Sequence, residues 1–307
     1  MALRVLLLAT ACCAALVGCG KSEPAKPALP AKSAAVHKPS TTPSDGLPAP
    51  HCPARSDASL GGPDVVGLKL GMARADALDH ARCLNKDTFV AFEGNWIQGL
   101  RSFGVKLAPQ VFVAHVGETR PCQYNPLDDT SRCDASGRAW VFLAEKITVV
   151  SPGVPGAEKV LAIWREQHFR PREIPIAETL VPALVKKYGA PQIQQQHANN
   201  WLRLDWLQDA SGAAIEQGRR GPQCRTISPR GNESHSWSDA CGLTITALIV
   251  LNPENPQLAS ELNVGMVNQR ELYRAGTSLQ AQLEAMEQQR RQQEVDQSKS
   301  VGSKVKL

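Results

Sequence analysis

The sequence LTITALIVL, from Leu243 to Leu251, decides the fold more strongly than any other part of the chain. The run contains Thr244 and Thr246 and is flanked by Gly242 and Pro253. It is much shorter than the ~20 apolar residues that a membrane-spanning helix requires. We therefore interpret it as a buried β-strand.

Two more strands border this run in the sequence. Trp201–Leu207 alternates, with apolar side chains on one face and Arg203 and Asp205 on the other. Leu262–Val267 follows a turn at Pro253–Pro256. Since alternation is typical of strands with one buried face, we expect an antiparallel sheet in the second half of the chain.

A helix is predicted before these strands, near Thr179. Apolar residues recur at every fourth position, at Leu180, Leu184 and Tyr188. Lys186 and Lys187 fall in the last turn, and Gly189 is placed to cap the end. With Thr179 as the N-cap, Pro182 falls in the first turn, where proline is tolerated.

The first half of the chain has a similar layout. Val65–Met72 predicts a short strand and turn, and a helix with Asp76 in its first turn follows. We predict an α+β fold of two similar units, each a helix packed on antiparallel sheet, at residues 54–170 and 171–268. The further strands predicted in the first unit lie at Trp140–Ala144, at Ile147–Val150 and around Trp164.

Residues 269–307 predict a C-terminal helix followed by a disordered tail. Apolar residues recur at spacings of four and three for about two heptads, until Arg290 and Gln293 interrupt the seam. Two interpretations are open: a helix docked on its own domain, or a helix that binds a partner. The seam residues are Leu272, Gly276, Leu279, Leu283 and Met286.

The chain has a short basic start that contains Arg4, followed by an apolar run at Val5–Val17 and a small-residue cleavage site. This run is shorter than a membrane helix, so we interpret residues 1–18 as a signal peptide, with an uncleaved membrane helix as the alternative. Leu16–Cys19 resembles the lipobox of bacterial lipoproteins. The resemblance implies that Cys19 carries lipid and anchors the protein in a membrane. Gly20, in place of an aspartate resembling an inner-membrane retention signal, implies the periplasmic side of the outer membrane.

Residues 19–53 predict a disordered tether. Eight of the 22 prolines fall between Pro24 and Pro53, interleaved with Ala, Lys, Ser and Thr. The segment has too few large apolar residues to offset the entropy of ordering it.

The cysteines indicate an oxidising compartment. Cys12 and Cys13 leave with the signal peptide and Cys19 carries lipid, so six of the nine cysteines remain. An even number in an exported chain predicts three disulfides, which six cysteines can form in 15 ways. Because no C-x-x-C or H-x-x-x-H pair occurs, we expect no metal, and we predict no cofactor. Nearest-neighbour pairing, our hypothesis, joins Cys52 with Cys83, Cys122 with Cys133, and Cys224 with Cys241.

The charge is mildly basic. The formal net charge is +5. Loss of Arg4 with the signal peptide leaves 33 basic and 29 acidic side chains, a net charge of +4. There is no basic stripe with interleaved aromatic residues, which argues against a nucleic-acid partner.

Two short motifs resemble small outer-membrane assembly lipoproteins of the SmpA/OmlA type and β-lactamase-inhibitor-like repeats. They are Gly71-Met72 before the first helix, and Tyr188–Pro191 at the end of the second helix, ahead of Trp201. The resemblance implies helices packed on one face of an antiparallel sheet and a role in protein binding.

Three groups of polar residues contain side chains used in catalytic or metal sites. His235 lies in Asn232–Asp239, which holds the residue types of a hydrolytic triad, but adjacent loop residues cannot easily face one another. Asp79 and His80 are predicted to be polar surface. Three aspartates could bind calcium but lack the usual alternate spacing. We therefore name no catalytic residue and predict a protein that is not an enzyme. The three aspartates are Asp128, Asp129 and Asp134.

The strongest candidate for a binding surface is the arginine-rich stretch in and before the last cysteine loop. Arginine pairs with carboxylates and phosphates through two hydrogen bonds, and tryptophan adds a stacking face. The alternative is a solubilising loop held by a disulfide. The residues are Arg219, Arg220, Arg225, Arg230 and Trp237.

These features together predict a lipid-anchored periplasmic protein that binds an envelope protein or an anionic envelope component. The alternatives are an envelope hydrolase and a structural spacer. A hydrolase requires a pocket with a nucleophile and a base, a binder requires an exposed apolar or arginine-rich patch, and a spacer requires neither.

Overall fold

The computed structural model describes residues 49–52, 60–85, 88–121, 138–198, 200–215, 224, 226–231 and 237–302. They form an eight-stranded antiparallel sheet, a two-stranded sheet and three helices, so the predicted α+β class with a C-terminal helix is confirmed. The strands are β1 (Asp64–Val65), β2 (Leu68–Lys69), β3 (Phe89–Glu93), β4 (Val111–Pro121), β5 (Arg138–Val150), β6 (Ala162–His168), β7 (Ile193–His197), β8 (Trp201–Asp209), β9 (Cys241–Leu251) and β10 (Ala259–Asn268), and the helices are α1 (Arg74–Cys83), α2 (Ala177–Tyr188) and α3 (Gln269–Gly302).

The large sheet consists of two four-stranded meanders. Its order is β3-β4-β5-β6-β10-β9-β8-β7, so the last strand of each meander pairs with the last strand of the other. In this central pair Gly265 lies opposite Trp164. The boundary predicted at residues 170 and 171 falls between β6 and α2, and the residues on both sides of it contribute to one continuous sheet.

The LTITALIVL run lies in β9, between β10 and β8. Ile245, Ala247 and Ile249 are at most 2% exposed. The prediction of a buried strand is therefore confirmed.

Backbone pairing fixes the start of both sheet-packed helices. Before α1, the Gly71 amide donates to Val160, and the Arg74 amide donates to Glu158. Before α2, the Ala177 amide donates to Gln257. In each case the pairing partner lies just before the last strand of a meander, β6 or β10.

The prediction that α2 begins at Thr179 is corrected. The helix begins at Ala177, and Pro182 is inside it, beyond the first turn. The Thr179 hydroxyl donates to the Ile176 carbonyl instead of capping a later amide. Pairing of Ala177 and Ile176 with residues 257–258 sets the start, so no side-chain cap is needed.

One face of the sheet packs against α1 and α2. The core between them includes Leu78 and Ala81 of α1, Leu184 of α2, and Ile147 and Ile249 of the sheet. Burial of apolar area of this kind is the main stabilising term of such a fold.

The opposite face carries a second, smaller core. Trp164, Ile227, Val267 and Leu272 are buried there, and Trp96 packs beside them. Helix α3 contacts β9 and β10. The helix runs to Gly302, and its residues 288–299 are all exposed, in agreement with a seam that is interrupted at Arg290 and Gln293.

Two disulfides lie at the ends of elements. Cys52 is bonded to Cys83, the last residue of α1, and Cys224 is bonded to Cys241, the first residue of β9. These are two of the three predicted pairs, and Cys122 and Cys133 lie outside the described residues. Among the helices that the structure describes, none is both long and apolar enough to cross a membrane.

Candidate interaction surface

The structure describes two of the five residues predicted to bind a partner. These are Arg230, in the segment 226–231, and Trp237, just before β9. Arg219, Arg220 and Arg225 lie outside the described residues.

Arg230 is half exposed and forms an ion pair. One of its Nη atoms lies 2.7 Å from the Glu261 carboxylate, on β10. The same carboxylate accepts a hydrogen bond from Asn263 Nδ2 at 3.2 Å and lies 3.6 Å from His168 Nδ1. Glu261 is thus an acidic partner of Arg230 within the protein itself.

Trp237 is partly buried against the second core, where Trp164 and Ile227 also lie. Much of its surface therefore contacts the protein's own residues. Only the part of the ring that stays in solvent is available for the stacking that the sequence analysis predicts.

The segment 226–231 is held on the sheet by two hydrogen bonds and a nearby disulfide. The Trp164 indole donates to the Ser228 carbonyl at 2.9 Å, and Arg203 Nη2 donates to the Ile227 carbonyl at 3.0 Å. The Cys224–Cys241 disulfide ties the chain just before this segment to β9. These contacts hold residues 226–231 in place without any ligand.

A cluster of polar side chains on β8 and β9 holds Arg203 in the position from which it donates to the Ile227 carbonyl. Arg203 pairs with Asp205 through its Nε and Nη2 atoms, at 3.0–3.2 Å. The Thr246 hydroxyl donates to Asp205, which is 1% exposed. The alternation at Trp201–Leu207 correctly placed Arg203 and Asp205 on one face, but it could not identify Ile227, 24 residues away, as a partner of Arg203.

A cleft of about 380 Å³ opens on the helix-covered side of the sheet. Tyr188 and Trp206 meet there edge to face, with ring centroids 5.4 Å apart. Asp64 and Lys187 lie at its edge with 3.0 Å between their charged atoms. The Tyr188 hydroxyl donates to the Asp64 carbonyl at 2.9 Å.

Charges in the cleft favour the ordinary ionisation states. Partial burial opposes ionisation of Asp64, but hydrogen bonds from the Gly67 amide and Lys187, with the charge of Lys187, outweigh it and lower the pKa of Asp64. Burial, followed by the Asp64 charge, raises the pKa of the Tyr188 hydroxyl well above its ordinary value. Tyr188 is thus a protonated donor and Asp64 a carboxylate at neutral pH.

The remaining sequence candidates have structural contacts or fall outside the described residues. His80 Nε2 lies 2.9 Å from the Val66 carbonyl, and Asp79 accepts a hydrogen bond from the His51 amide. In the ranges that the structure describes, no three His, Cys, Asp or Glu side chains form a possible metal site. Cys19, His235, Asp128, Asp129 and Asp134 lie outside the described residues.

Comparison with known proteins adds no relative: no family model, curated protein or solved structure gives a significant match to this chain.

Proposed function

We propose that this chain is a lipid-anchored protein of the bacterial envelope, held at the periplasmic face of the outer membrane, that binds an envelope component without catalysis. The observation that carries the proposal is the pair of disulfides, Cys52–Cys83 and Cys224–Cys241, in a chain that begins with a lipobox-like segment. Disulfides persist in exported proteins and are rare in the cytosol.

The position of the Cys52–Cys83 bond supports the tether. It attaches the last residues of the Pro-rich segment to the end of α1, and the His51 amide donates to Asp79 on the same helix at 3.2 Å. The folded part is therefore held firmly where the tether ends. A Pro-rich chain of this length reaches a few tens of Å on average.

Replacement of Cys19 tests the anchor. Cys19→Ala removes the only thiol placed for lipidation, so we expect an unprocessed precursor that is released from membranes more readily. Mass spectrometry of the N-terminus gives the answer. An unchanged, lipid-free mature N-terminus in both proteins would refute lipidation.

We also infer that the two halves are structural repeats. Each has one helix followed by a four-stranded meander, and each helix begins where the backbone pairs with the segment before the last strand of its own meander. Repeats of this kind support the resemblance to assembly lipoproteins and inhibitor-like repeats, and through it a role in protein binding.

The loop around Arg230 is the proposed recognition surface for an anionic partner. Its anchors, the Cys224–Cys241 bond and the hydrogen bonds from Trp164 and Arg203, reduce the entropy lost on binding. Arg230 already pairs with one carboxylate, that of Glu261. A carboxylate or phosphate of the partner would either displace Glu261 or bind the guanidinium beside it.

A crosslinking pull-down from intact envelopes tests this surface. We expect the triple variant Arg220→Ala, Arg225→Ala and Arg230→Ala to capture less partner and to lose salt sensitivity. The matched control removes three exposed arginines elsewhere, at Arg101, Arg172 and Arg274. Equal capture by the two variants would place the binding site elsewhere.

The same envelope preparations distinguish a binding protein from a hydrolase and from a structural spacer. A hydrolase would release small products from envelope polymers, and that release would not depend on the arginines. A structural spacer would crosslink to the wall or membrane alone, with no partner lost in the triple variant.

A further inference from the structure

The edge strand β7 has no charged acid or base and no proline in its sequence, and no described residue covers it in the sheet. Exposed sheet edges normally carry charges, proline, bulges or a covering element, because their unpaired amides and carbonyls can pair with another strand. The sequence of β7 is Ile193-Gln194-Gln195-Gln196-His197, without an acid, a lysine, an arginine or a proline.

The outer side of β7 is open in the part of the chain that the structure describes. Its only neighbour in the sheet is β8, and the two are paired without a bulge from Ile193–Asp205 to His197–Trp201. Residues Gln194 to His197 are exposed.

The opposite edge of the sheet differs. Strand β3 ends at Glu93, and the Arg74 guanidinium lies over the Phe92 ring at 5.4 Å. Strand β3 therefore has a charged residue in its sequence and another beside it, whereas the sequence of β7 has no acid, lysine or arginine.

We propose that β7 pairs with β7 of a second copy of this chain, giving an antiparallel dimer with a sheet continuous across both copies. A two-fold axis through Gln195 places Gln195 opposite Gln195 and Gln194 opposite Gln196. Glutamine amides both donate and accept, so a row of glutamines is complementary to itself, whereas a row of like charges is not.

The dimer expected from a five-residue ladder is a weak one. Strand pairing alone buries less area than the ~1,200 Å² typical of a stable interface. We therefore expect association that depends on protein concentration. Covalent trapping of the dimer is a more sensitive test than measurement of a binding constant.

Variants of the full chain with one added cysteine test the register. Residues facing each other across antiparallel strands have Cα atoms about 4.5–5.5 Å apart, within the range that a disulfide spans. Gln195→Cys should form a covalent dimer under mild oxidation in intact cells, seen on a non-reducing gel. Gln194→Cys is the matched control, since it faces Gln196 and not itself, and a mixture of Gln194→Cys and Gln196→Cys chains should crosslink.

A charge at the axis tests the pairing itself. Gln195→Glu places two carboxylates opposite each other, which disfavours cross-strand pairing. Light scattering of the detergent-solubilised full chain should show the mass falling from two chains toward one as concentration is lowered, and one chain throughout for Gln195→Glu. The same change at the exposed Gln257, which lies before β10, should leave the dimer intact.

Two results would overturn the proposal. One is a native chain that stays at the mass of one copy at every concentration while Gln195→Cys yields no more covalent dimer than Gln194→Cys. The other is a dimer that survives Gln195→Glu, which would place the contact elsewhere. Circular dichroism that matches the native chain shows that each variant is folded. The outcome is independent of lipidation and of the arginine surface.

Discussion

The indole of Trp164 lies between two glycines that leave room for it. Gly265 faces it across the β6–β10 pair, and Gly231 lies in the segment above. A Cβ added at Gly265 would lie 2.8 Å from the ring, and one at Gly231 would lie 2.7 Å from it. The ring is rigid and buried, so neither contact can be relieved cheaply.

Gly265→Ala should destabilise the fold by about 1–3 kcal/mol, the usual effect of overpacking a core. Urea denaturation followed by tryptophan fluorescence measures it. Gly276→Ala on α3 is the control, because a Cβ there meets nothing within 4 Å. That change should be neutral or stabilising by up to about 1 kcal/mol. Equal stability of the two variants would contradict the packing.

Asp64 makes the free energy of unfolding depend on pH in the acid range. Its pKa is below the unfolded value of about 3.9, so its contribution is present above that pH and is lost as the pH falls through the folded pKa. Asp64→Asn should therefore cost about 1 kcal/mol near neutral pH, the scale of one hydrogen bond to a charged group that is partly exposed. The difference should vanish in acid.

Urea unfolding at several pH values measures this prediction. Asp239→Asn, at an exposed position, is the control and should behave like the native chain. A deficit for Asp64→Asn that stays constant as the pH is lowered through the acid range would mean that its hydrogen bonds, and not its charge, are responsible.

At the scale of elements, α3 divides into a docked part and an exposed part. Leu279 and Leu283 are at most 2% exposed, whereas Met286, one position later in the predicted seam, is 38% exposed. Residues 288–299 are exposed on every side, and ion pairs such as Arg291–Glu287 and Lys299–Asp296 run along this part of the helix. The docked interpretation therefore describes the first half of the helix.

Leu283→Ala should destabilise the protein by about 2–5 kcal/mol, as loss of a buried leucine usually does. Met286→Ala, the matched control on the same helix, should cost less than about 1 kcal/mol because much of that side chain is already in water. Thermal unfolding by circular dichroism compares them. Similar losses of stability in the two variants would mean that Met286 is buried in the protein as Leu283 is.

At the scale of the whole molecule, the two halves share one sheet and one helix-covered core. Ile147 from β5 and Ile249 from β9 lie in the same buried cluster. Contacts across the β6–β10 pair link the meanders along its length. Disruption of either half thus exposes apolar surface of the other.

We expect a single cooperative unfolding transition. Ile147→Val and Ile249→Val should each cost about 0.5–1.5 kcal/mol and lower the same melting temperature by roughly 2–4 °C per kcal/mol. Calorimetry measures this directly. Two separate transitions, each responding to one variant only, would show that the halves fold independently.

The comparison of sequence and structure separates local from distant interactions. Alternation and apolar runs are local, and they correctly indicated β9, the face of β8 that carries Arg203, and α1 with Asp76 in its first turn. Cysteine spacing also indicated the Cys52–Cys83 and Cys224–Cys241 pairs. For the surface, composition identified the arginine-rich loop but not what each side chain contacts.

By itself, the sequence determined the strands β8 and β9, the helix α1 and the pairs Cys52–Cys83 and Cys224–Cys241, because side-chain period and turn residues act within a few positions. Only the tertiary structure decided that the meanders join through β6 and β10, that α2 begins at Ala177, and that Arg230 meets Glu261. These outcomes depend on backbone hydrogen bonds and charges far apart in the chain. No local pattern encodes which distant groups will satisfy them, because the fold brings those groups together only when the core is packed.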